Sequence, residues 1–133
     1  MSGRLHGRSI VVTGAGSGIG SAIARHLAVN EGANVVITGR RAEPLEQLAD
    51  ETGCVVCTGD MTRREDVRKV LGTAVNEFGG LDALVSNHGL LTLADFKSTN
   101  EQVWRDMLDT NTIAPFVLTQ EAAPLMEQGG GGA

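Results

Sequence analysis

The chain has 133 residues, of which 41% are hydrophobic and 20% charged, a composition typical of one globular domain of ordinary size. Eleven basic and sixteen acidic side chains give a formal net charge of −5, and there are only three Phe and one Trp, which argues against a nucleic acid partner. The sequence contains neither an apolar run of about 20 residues nor a signal-peptide-like N-terminus, so we expect no membrane span and a cytoplasmic location.

A glycine-rich segment, Thr13 to Gly20, follows the apolar run from Ile10 to Val12 and precedes a helical pattern. Glycine allows a tight turn and a close approach of the backbone to phosphate oxygens, and the free N–H groups of a helix N-terminus attract negative charge. The spacing of Gly14, Gly18 and Gly20 differs from the commoner G-x-G-x-x-G fingerprint. We interpret the segment as a pyrophosphate-binding turn; a turn that merely connects a strand to a helix is the alternative.

The helix after this turn carries apolar residues every four positions and is followed by the second strand. Its stripe consists of Ile19, Ile23 and Leu27, and Gly32 is the expected C-cap. The short β-branched run from 33 to 37 predicts strand two.

A second helix begins near Pro44, ends at Gly53 and leads into a strand that we predict from Cys54 to Thr58. This strand contains a C-x-x-C pattern, which could form a redox pair or half of a zinc site. Residues three apart in a strand point to opposite faces, so the two thiols are not expected to meet. We expect both cysteines, at 54 and 57, to fill the core, and we expect no metal site.

The third helix is predicted to start at a capping box, in which Thr62 and Glu65 bond each other's backbone N–H. Its apolar stripe runs from Val67 to Phe78 and ends at Gly79-Gly80. Residues 81–86 predict strand four.

A long helical pattern extends from Ser98 or Thr99 to Gln128, and prolines cross it at 115 and 124. Proline removes a helical hydrogen bond, so we expect a kink or an interruption near Pro115. Four strands alternating with helices predict an α/β fold, a Rossmann-like doubly wound parallel sheet in the order 3-2-1-4. Ligands of such sheets bind outside the carboxyl ends of the strands, where the glycine turn lies.

Several motifs, taken together at their spacing, resemble the N-terminal, cofactor-binding portion of the short-chain dehydrogenase/reductase family. They are the turn at 13–20, the Gly59-Asp60-Met61 after strand three, the D-A-L-V-S-N-H-G at 82–89 and the Asn111 in D-T-N-T. The resemblance covers essentially all 133 residues and implies an oxidoreductase that transfers hydride between nicotinamide and an alcohol or carbonyl substrate.

The resemblance also implies roles for individual residues. The pyrophosphate and adenosine ribose would be held by the glycine turn, the adenine by Asp60 with Met61 beside the ring, and the rest of the cofactor by the end of strand four. The cofactor-binding residues implied in this way are Gly14, Ser17, Gly18, Ile19, Gly20, Asp60, Met61, Asn87, His88 and Gly89.

Two of the implied site residues have open interpretations. Asn111 matches the family's catalytic asparagine, which supports a water next to the catalytic lysine; alternatively, its side chain satisfies backbone groups at a helix break. His88 stands where the family usually has alanine. It is either a tolerated bulky residue against the cofactor, which we favour, or a group that titrates near neutrality and acts as an acid or base.

The end of strand two bears on the choice of cofactor. An acidic residue there would bind the ribose hydroxyl of NAD, whereas an arginine accommodates the 2′-phosphate of NADP. Gly39 occupies the acidic position and Arg40 follows it, so we expect NADP(H) to be favoured over NAD(H). Solvated charges at Arg40 and Arg41 are the alternative.

The family's catalytic serine, tyrosine and lysine would follow the glycines at 129–132, and the chain contains no tyrosine. We therefore expect residues 1–133 to be a dinucleotide-binding domain that is incomplete at its C-terminus and inactive alone. A non-catalytic binding or interaction module, or a fragment completed by a second chain, are the alternatives. The outer edge of strand four would have no neighbouring strand, so we expect the chain to self-associate through it. The sequence does not define the substrate.

Overall fold

The computed structural model describes residues 3–133, which form a parallel sheet of four strands. The strands are β1 (Ser9–Val12), β2 (Asn34–Ile37), β3 (Val55–Val56) and β4 (Ala83–Val85). Their order is β3-β2-β1-β4, and each neighbouring pair is parallel. The predicted fold class and strand order are confirmed.

Three strands are shorter than predicted. Ala33 lies outside β2, β3 keeps only two of the residues from 54 to 58, and β4 keeps only three of those from 81 to 86. The β-bridges explain these limits, because β3 pairs with β2 only at Val55 and Val56, and β4 pairs with β1 only over 83–85. An apolar run therefore predicted the location of each strand but not how far its backbone follows a neighbour.

The helices lie on both faces of the sheet. The first, α1 (Gly18–Arg25), continues into a π-helical segment (His26–Asn30), and it is followed by α2 (Ala42–Thr52), α3 (Arg64–Phe78), α4 (Glu101–Leu108), a second π-helical segment (Asp109–Ile113) and α5 (Ala114–Gln128). Gly53 and Gly79 cap α2 and α3 in the left-handed region, with φ of 76° and 83°, as predicted. Among the described residues, no helix is long and apolar enough to cross a membrane.

The predicted capping box is wrong. The N-cap of α3 is Arg63, and no side chain caps this helix. The Thr62 hydroxyl instead donates to Asp60 at 2.7 Å, and the Glu65 carboxylate pairs with Arg63. The helix starts one residue later than the box requires. Thr62 is already bonded to Asp60 and Glu65 is already paired with Arg63, so neither side chain is available for the box.

The predicted long helix is interrupted immediately before Pro115. It begins at α4, where the Asn100 side chain accepts from the N–H of Val103 at 3.1 Å, and it widens into the π-helical segment at 109–113. Proline has no N–H, so the carbonyl of Asn111, four residues earlier, lacks its α-helical donor. The interruption is thus confirmed, and its form is a π-helical segment.

Two apolar clusters pack on opposite faces of the sheet. One joins α3 and α5 to Val11 and Val36, and the other joins α1 and α2 to the alternate residues of β1 and β2. Cys57 belongs to the first cluster and Cys54 to the second, and both are buried free thiols. The core-filling interpretation of the two cysteines is therefore confirmed.

The outer edge of β4 is partly paired, which corrects the expectation of an open edge. After α5 the chain turns back, and Ala133 donates to the carbonyl of Asp82 at 3.0 Å while its own carbonyl accepts from Leu84 at 2.9 Å. This pattern is one bridge of a parallel ladder. Gly130 and Gly131, with φ of 94° and 124°, allow the reversal.

Candidate functional site

An open cleft of about 1100 Å³ lies at the carboxyl ends of the strands. All predicted cofactor-binding residues except Gly20 line it, including Gly39 and Arg40. The cleft therefore brings together segments that are far apart in the sequence: the turn after β1, the ends of β2 and β3, and the loop after β4. This is the edge at which doubly wound sheets bind ligands.

The glycine turn presents a helix N-terminus to the cleft. Gly14 and Gly18 have φ of 63° and 55°, a region that favours glycine. Ser17 is the N-cap of α1, but its side chain makes no capping bond, and no acidic residue occupies the first turn. The first N–H groups of α1 thus lack a side-chain acceptor from the described residues, and the first residues of the helix, Gly18 and Ile19, line the cleft, as an anion site would require.

Gly20 lies behind the turn and not on the cleft wall. A Cβ at this position would clash with the Gly14 carbonyl and the Asn87 side chain. Gly20 therefore allows α1 to pack closely against the turn.

The Thr13 hydroxyl ties the turn after β1 to the loop after β4. Its oxygen accepts from the backbone N–H groups of Asn87 at 3.0 Å and His88 at 3.2 Å, and it lies 2.8 Å from His88 Nδ1. The Asn87 side chain donates to the Gly14 carbonyl at 3.3 Å. These bonds hold the two loops at a fixed distance across the cleft.

The His88 ring is half-buried beneath this cleft. Burial lowers the pKa of His88, and the Thr110 backbone carbonyl and the charge of Asp60 offset part of that effect. No group among the described residues completes a hydrogen bond to Nε2, although this atom is buried. The structure therefore favours a neutral imidazole at this position.

Asp60 and Met61 form the wall of the cleft beyond β3. Burial by itself raises the pKa of Asp60, but hydrogen bonds from the Thr62 hydroxyl and N–H, together with Arg40 and Arg63, outweigh burial and hold the pKa below its ordinary value. Met61 is almost fully buried in the core and reaches the cleft with one side. The carboxylate of Asp60 is thus ionised near neutral pH and can accept a hydrogen bond.

Arg40 and Arg41 line the cleft at the end of β2, and both are exposed. Neither forms an ion pair within 4.0 Å with the part of the chain that the structure describes. Gly39 beside them has room for a side chain, since an added Cβ would lie no closer than 3.7 Å to a neighbouring atom, on Leu45. The end of β2 therefore offers positive charge and no carboxylate.

Asn111 lies in the second π-helical segment and does not line the cleft. Its side chain accepts from the N–H of Leu90 and donates to the carbonyl of Leu90, both at 2.7 Å. The side chain therefore satisfies backbone groups, as one of the two interpretations expects. The carbonyl of Asn111 is a separate group, which Pro115 deprives of its helical donor.

The cleft also contains residues that sequence reasoning missed as site residues. Those not predicted are Gly16, Arg41, Pro44, Gly59, Thr62, Leu90, Asp106, Asp109 and Thr110. Asp109 and Thr110 adjoin Asn111 in the D-T-N-T motif, so that motif could have indicated them. Asp106 carried no such signal, because only the direction of α4 brings it to the cleft.

The fold and the cleft define an α/β protein with a Rossmann-like sheet and a glycine-rich turn at its ligand-binding edge. The family model described as short chain dehydrogenase matches residues 8–133, and the chain belongs to the short-chain dehydrogenase/reductase family.

Relatives of known sequence and structure agree with this assignment. An oxidoreductase of Staphylococcus aureus (strain USA300) is 40% identical over 126 residues, covering 91% of this chain and 54% of the relative. An L-fucose dehydrogenase of Oryctolagus cuniculus is 38% identical over 130 residues, covering 96% and 45%. The crystal structure of a short-chain type dehydrogenase/reductase from Mycobacterium marinum superposes with a TM-score of 0.91 at 31% identity, covering 96% of this chain and 54% of that one. The chain thus spans about half the length of the curated relatives it matches.

Proposed function

We propose that residues 1–133 bind the nicotinamide dinucleotide of an oxidoreductase that acts on an alcohol or carbonyl substrate. The observation that carries this proposal is the uncapped N-terminus of α1, which opens with its glycine turn into the cleft at the strand ends. The turn at Gly14 and Gly18 would hold the pyrophosphate, with Ser17 and Ile19 beside it. When bound, the nicotinamide supplies or accepts the hydride.

The other cleft residues fit the rest of such a ligand. The ionised Asp60 would accept from an adenine amino group, and Met61 offers an apolar surface for the ring. Asn87, His88 and Gly89 would line the dinucleotide where it passes the end of β4. Each of these assignments follows from family membership and from the cleft that the residues share.

We infer that the cofactor is NADP(H) in preference to NAD(H). Arg40 lines the cleft, pairs with no carboxylate within 4.0 Å and can bind a phosphate through two parallel N–H bonds. Gly39 offers no acceptor for a ribose hydroxyl. A charge-assisted hydrogen bond contributes about 1.5–3 kcal/mol, so loss of one contact should weaken NADPH binding by roughly tenfold or more.

Titration of purified protein with NADPH and with NADH tests this preference. Arg40→Asp should reverse the order of the two affinities, and Gly39→Asp should strengthen NADH binding because the site has room for the side chain. Arg41→Asp makes the same change of charge at the next position, is the matched control and should change the ratio less. Equal or tighter binding of NADH by the unmutated protein would contradict the preference for NADP(H).

Asn111 would act in the reaction through its backbone carbonyl. The side chain is occupied by both backbone groups of Leu90, which fixes the π-helical segment against the loop after β4. The carbonyl, which has no α-helical donor at Pro115, would then accept from a water of the kind that the family resemblance implies. In this arrangement the Asn111 side chain holds the segment in place and the Asn111 carbonyl binds the water, so the two interpretations of Asn111 are compatible.

Residues 1–133 by themselves should bind the dinucleotide without turning it over. They contain no tyrosine, the residue to which the family resemblance assigns proton transfer to the substrate oxygen. Absorbance of NADPH at its reduced-nicotinamide band, followed with a panel of carbonyl compounds, measures turnover. Turnover that His88→Ala abolishes would overturn this expectation and make His88 the proton donor; binding without turnover in every longer form would favour a non-catalytic module.

A further inference from the structure

The hydrogen-bond network around Thr13 determines which nitrogen of His88 carries a proton. A threonine hydroxyl has one hydrogen to donate and two lone pairs to accept with. The N–H groups of Asn87 and His88, at 3.0 and 3.2 Å, occupy both lone pairs of the Thr13 oxygen. The hydroxyl can therefore act towards any third partner only as a donor.

Two acceptors compete for that single hydrogen. His88 Nδ1 lies 2.8 Å from the Thr13 oxygen, whereas the Val85 carbonyl lies 3.3 Å away and already accepts the Thr13 N–H at 3.0 Å. The shorter bond goes to the imidazole, so Nδ1 accepts. A neutral ring that accepts at Nδ1 carries its own hydrogen on Nε2, a buried atom that has no hydrogen-bond partner among the described residues.

We propose that His88 is a positioning residue that works only in its neutral, Nε2-protonated form, in which it fixes the Thr13 hydroxyl and so keeps the two loops of the cleft in the geometry that accepts a dinucleotide. The link to the cleft runs through Asn87, whose N–H bonds Thr13 and whose side chain bonds the Gly14 carbonyl in the phosphate turn. This inference rests on the proposed dinucleotide site but assigns His88 a part in the geometry of the protein itself.

Protonation of the ring would disturb this network. A hydrogen on Nδ1 would need Thr13 as its acceptor, and the hydroxyl would have to release the N–H of Asn87 or of His88 and turn its own hydrogen to Val85. A buried N–H left without a partner is costly. The ordered loop after β4 would therefore loosen next to the phosphate turn as the ring takes up a proton.

The charged groups around His88 act in opposite directions on such a protonation. Asp60 lies near enough to favour the charged ring, and Asp106 and Asp109 line the same cleft, as does the cation Arg40. A bound diphosphate would also attract a cationic imidazole. The sign of the pH dependence thus separates the two possibilities: network loss weakens dinucleotide binding at low pH, and simple charge attraction strengthens it.

Nitrogen-15 NMR of the histidine rings in the 133-residue chain tests the tautomer directly. We expect one signal pair in which Nδ1 is unprotonated and Nε2 is protonated, with His6 and His26 as exposed references. Thr13→Ser keeps the hydroxyl and should retain this signature, whereas Thr13→Val should lose it. A ring protonated on Nδ1 at neutral pH in the unmutated chain would overturn the proposal.

The second measurement is the dissociation constant of NADPH from about pH 8 to about pH 5.5, which spans the ordinary pKa of histidine. Binding should weaken as pH falls, and the ring contributes a slope of at most about tenfold per pH unit for one proton. The 2′-phosphate of NADPH titrates with a pKa of about 6, so His88→Ala should remove the part of the slope that the ring contributes and leave the part due to the phosphate. Binding that tightens at low pH only when His88 is present would refute the positioning role.

Amide NMR shifts separate this inference from the proposed function. The amide signals of Asn87 and Gly14 should move with the same midpoint as the His88 ring, with no ligand added. If NADPH does not bind at any pH, the proposed function fails, but the amide shifts still test the role of His88. Amide signals that do not change as the His88 ring titrates would overturn this inference. Matching midpoints support it.

Discussion

The proposed phosphate-binding role of the glycine turn can be tested most directly at Gly18, because a chemically identical change can be made at a glycine far from the cleft. Gly18 and Gly53 have φ of 55° and 76°, and a Cβ built at either position meets no atom within 4 Å. Gly18 lines the cleft at the start of α1, whereas Gly53 ends α2 outside the cleft. Replacement of each by alanine therefore imposes similar backbone strain at two places that differ in their relation to the ligand.

The expected cost in folding stability is small and similar for both variants. A non-glycine residue in the left-handed region destabilises the folded state by about 1–2 kcal/mol. The reduced conformational freedom of the unfolded chain offsets about 0.4–1 kcal/mol of this loss. Each variant should thus unfold about 1 kcal/mol more easily than the parent. No packing change adds to this figure, because neither new methyl group contacts the protein.

The expected cost in ligand binding is very different. Phosphate oxygens must approach the N–H groups of the turn to about 2.9 Å. Gly18 lines the cleft and a methyl group on it would meet no protein atom, so we expect the methyl group to take up space that the phosphate needs. We expect Gly18→Ala to weaken NADPH binding at least tenfold, equivalent to about 1.4 kcal/mol, and Gly18→Val to weaken it further. Gly53→Ala should bind like the parent.

Urea unfolding and fluorescence titration with NADPH, carried out on the same three samples, measure both quantities. The comparison depends on equal stability losses, so a much larger loss for Gly18→Ala would indicate a packing role that the structure does not show. If Gly18→Ala binds NADPH as tightly as Gly53→Ala, the phosphate does not approach the backbone at this turn. The assignment of the glycine turn would then be wrong.

Three further predictions concern the surroundings of the cleft. Asn111→Ala removes two hydrogen bonds to Leu90 and should lower the free energy of unfolding by about 1–2 kcal/mol in urea; unchanged stability would show that these bonds contribute nothing net. Thr62→Val removes a bond to the carboxylate of Asp60, so an NMR titration should show the pKa of Asp60 moving up towards its ordinary value of about 3.9. Because a depressed pKa contributes stability only above the unfolded value, this variant should be less stable than the parent above about pH 4 and equal to it in stronger acid. Phe116 is 63% exposed on α5, and Phe116→Asp should reduce self-association of the chain in light scattering; unchanged mass would place any association elsewhere.

The order of the sheet was predictable because each element carries its own local signal. Alternating strand and helix patterns require parallel pairing, and the glycines that end α2 and α3 adopt the left-handed conformation that their positions indicated. The capping box failed for a reason of the same local kind. Thr62 and Glu65 had the right spacing, but Asp60 and Arg63 offered closer partners, and spacing alone does not rank competing partners.

The form of the interruption in the long helix was less predictable than its position. Pro115 removes a donor wherever it stands, so a break near it was expected. Whether the chain responds with a bend, an end or a wider turn depends on packing against neighbouring elements. Here Asn111 bonds the backbone of Leu90 across the gap, and the wider π-helical segment coincides with that contact.

The residues that line the cleft were predictable to the extent that they follow strands. Parallel strands bring their carboxyl ends to one edge, so the turn after β1 and the loops after β3 and β4 had to converge there. Asp106 was not predicted because it reaches the cleft from a helix and does not follow a strand. The segment from 90 to 100, which sets the direction of that helix, has no periodic pattern in the sequence.

The glycine-turn motif does not indicate the hydrogen bonds that Thr13 makes to distant residues. Its position at the head of the glycine turn was plain in the sequence, but its bonds join it to residues more than seventy positions away. His88 adds a third contact to this network, because its Nδ1 lies next to a hydroxyl that already accepts two backbone N–H groups. Because the hydroxyl has only one hydrogen, the protonation state of the ring and the geometry of both loops depend on one another. We therefore expect His88, at a position where the family usually has alanine, to make the cleft sensitive to pH below the ordinary pKa of histidine, because burial lowers the pKa of this ring.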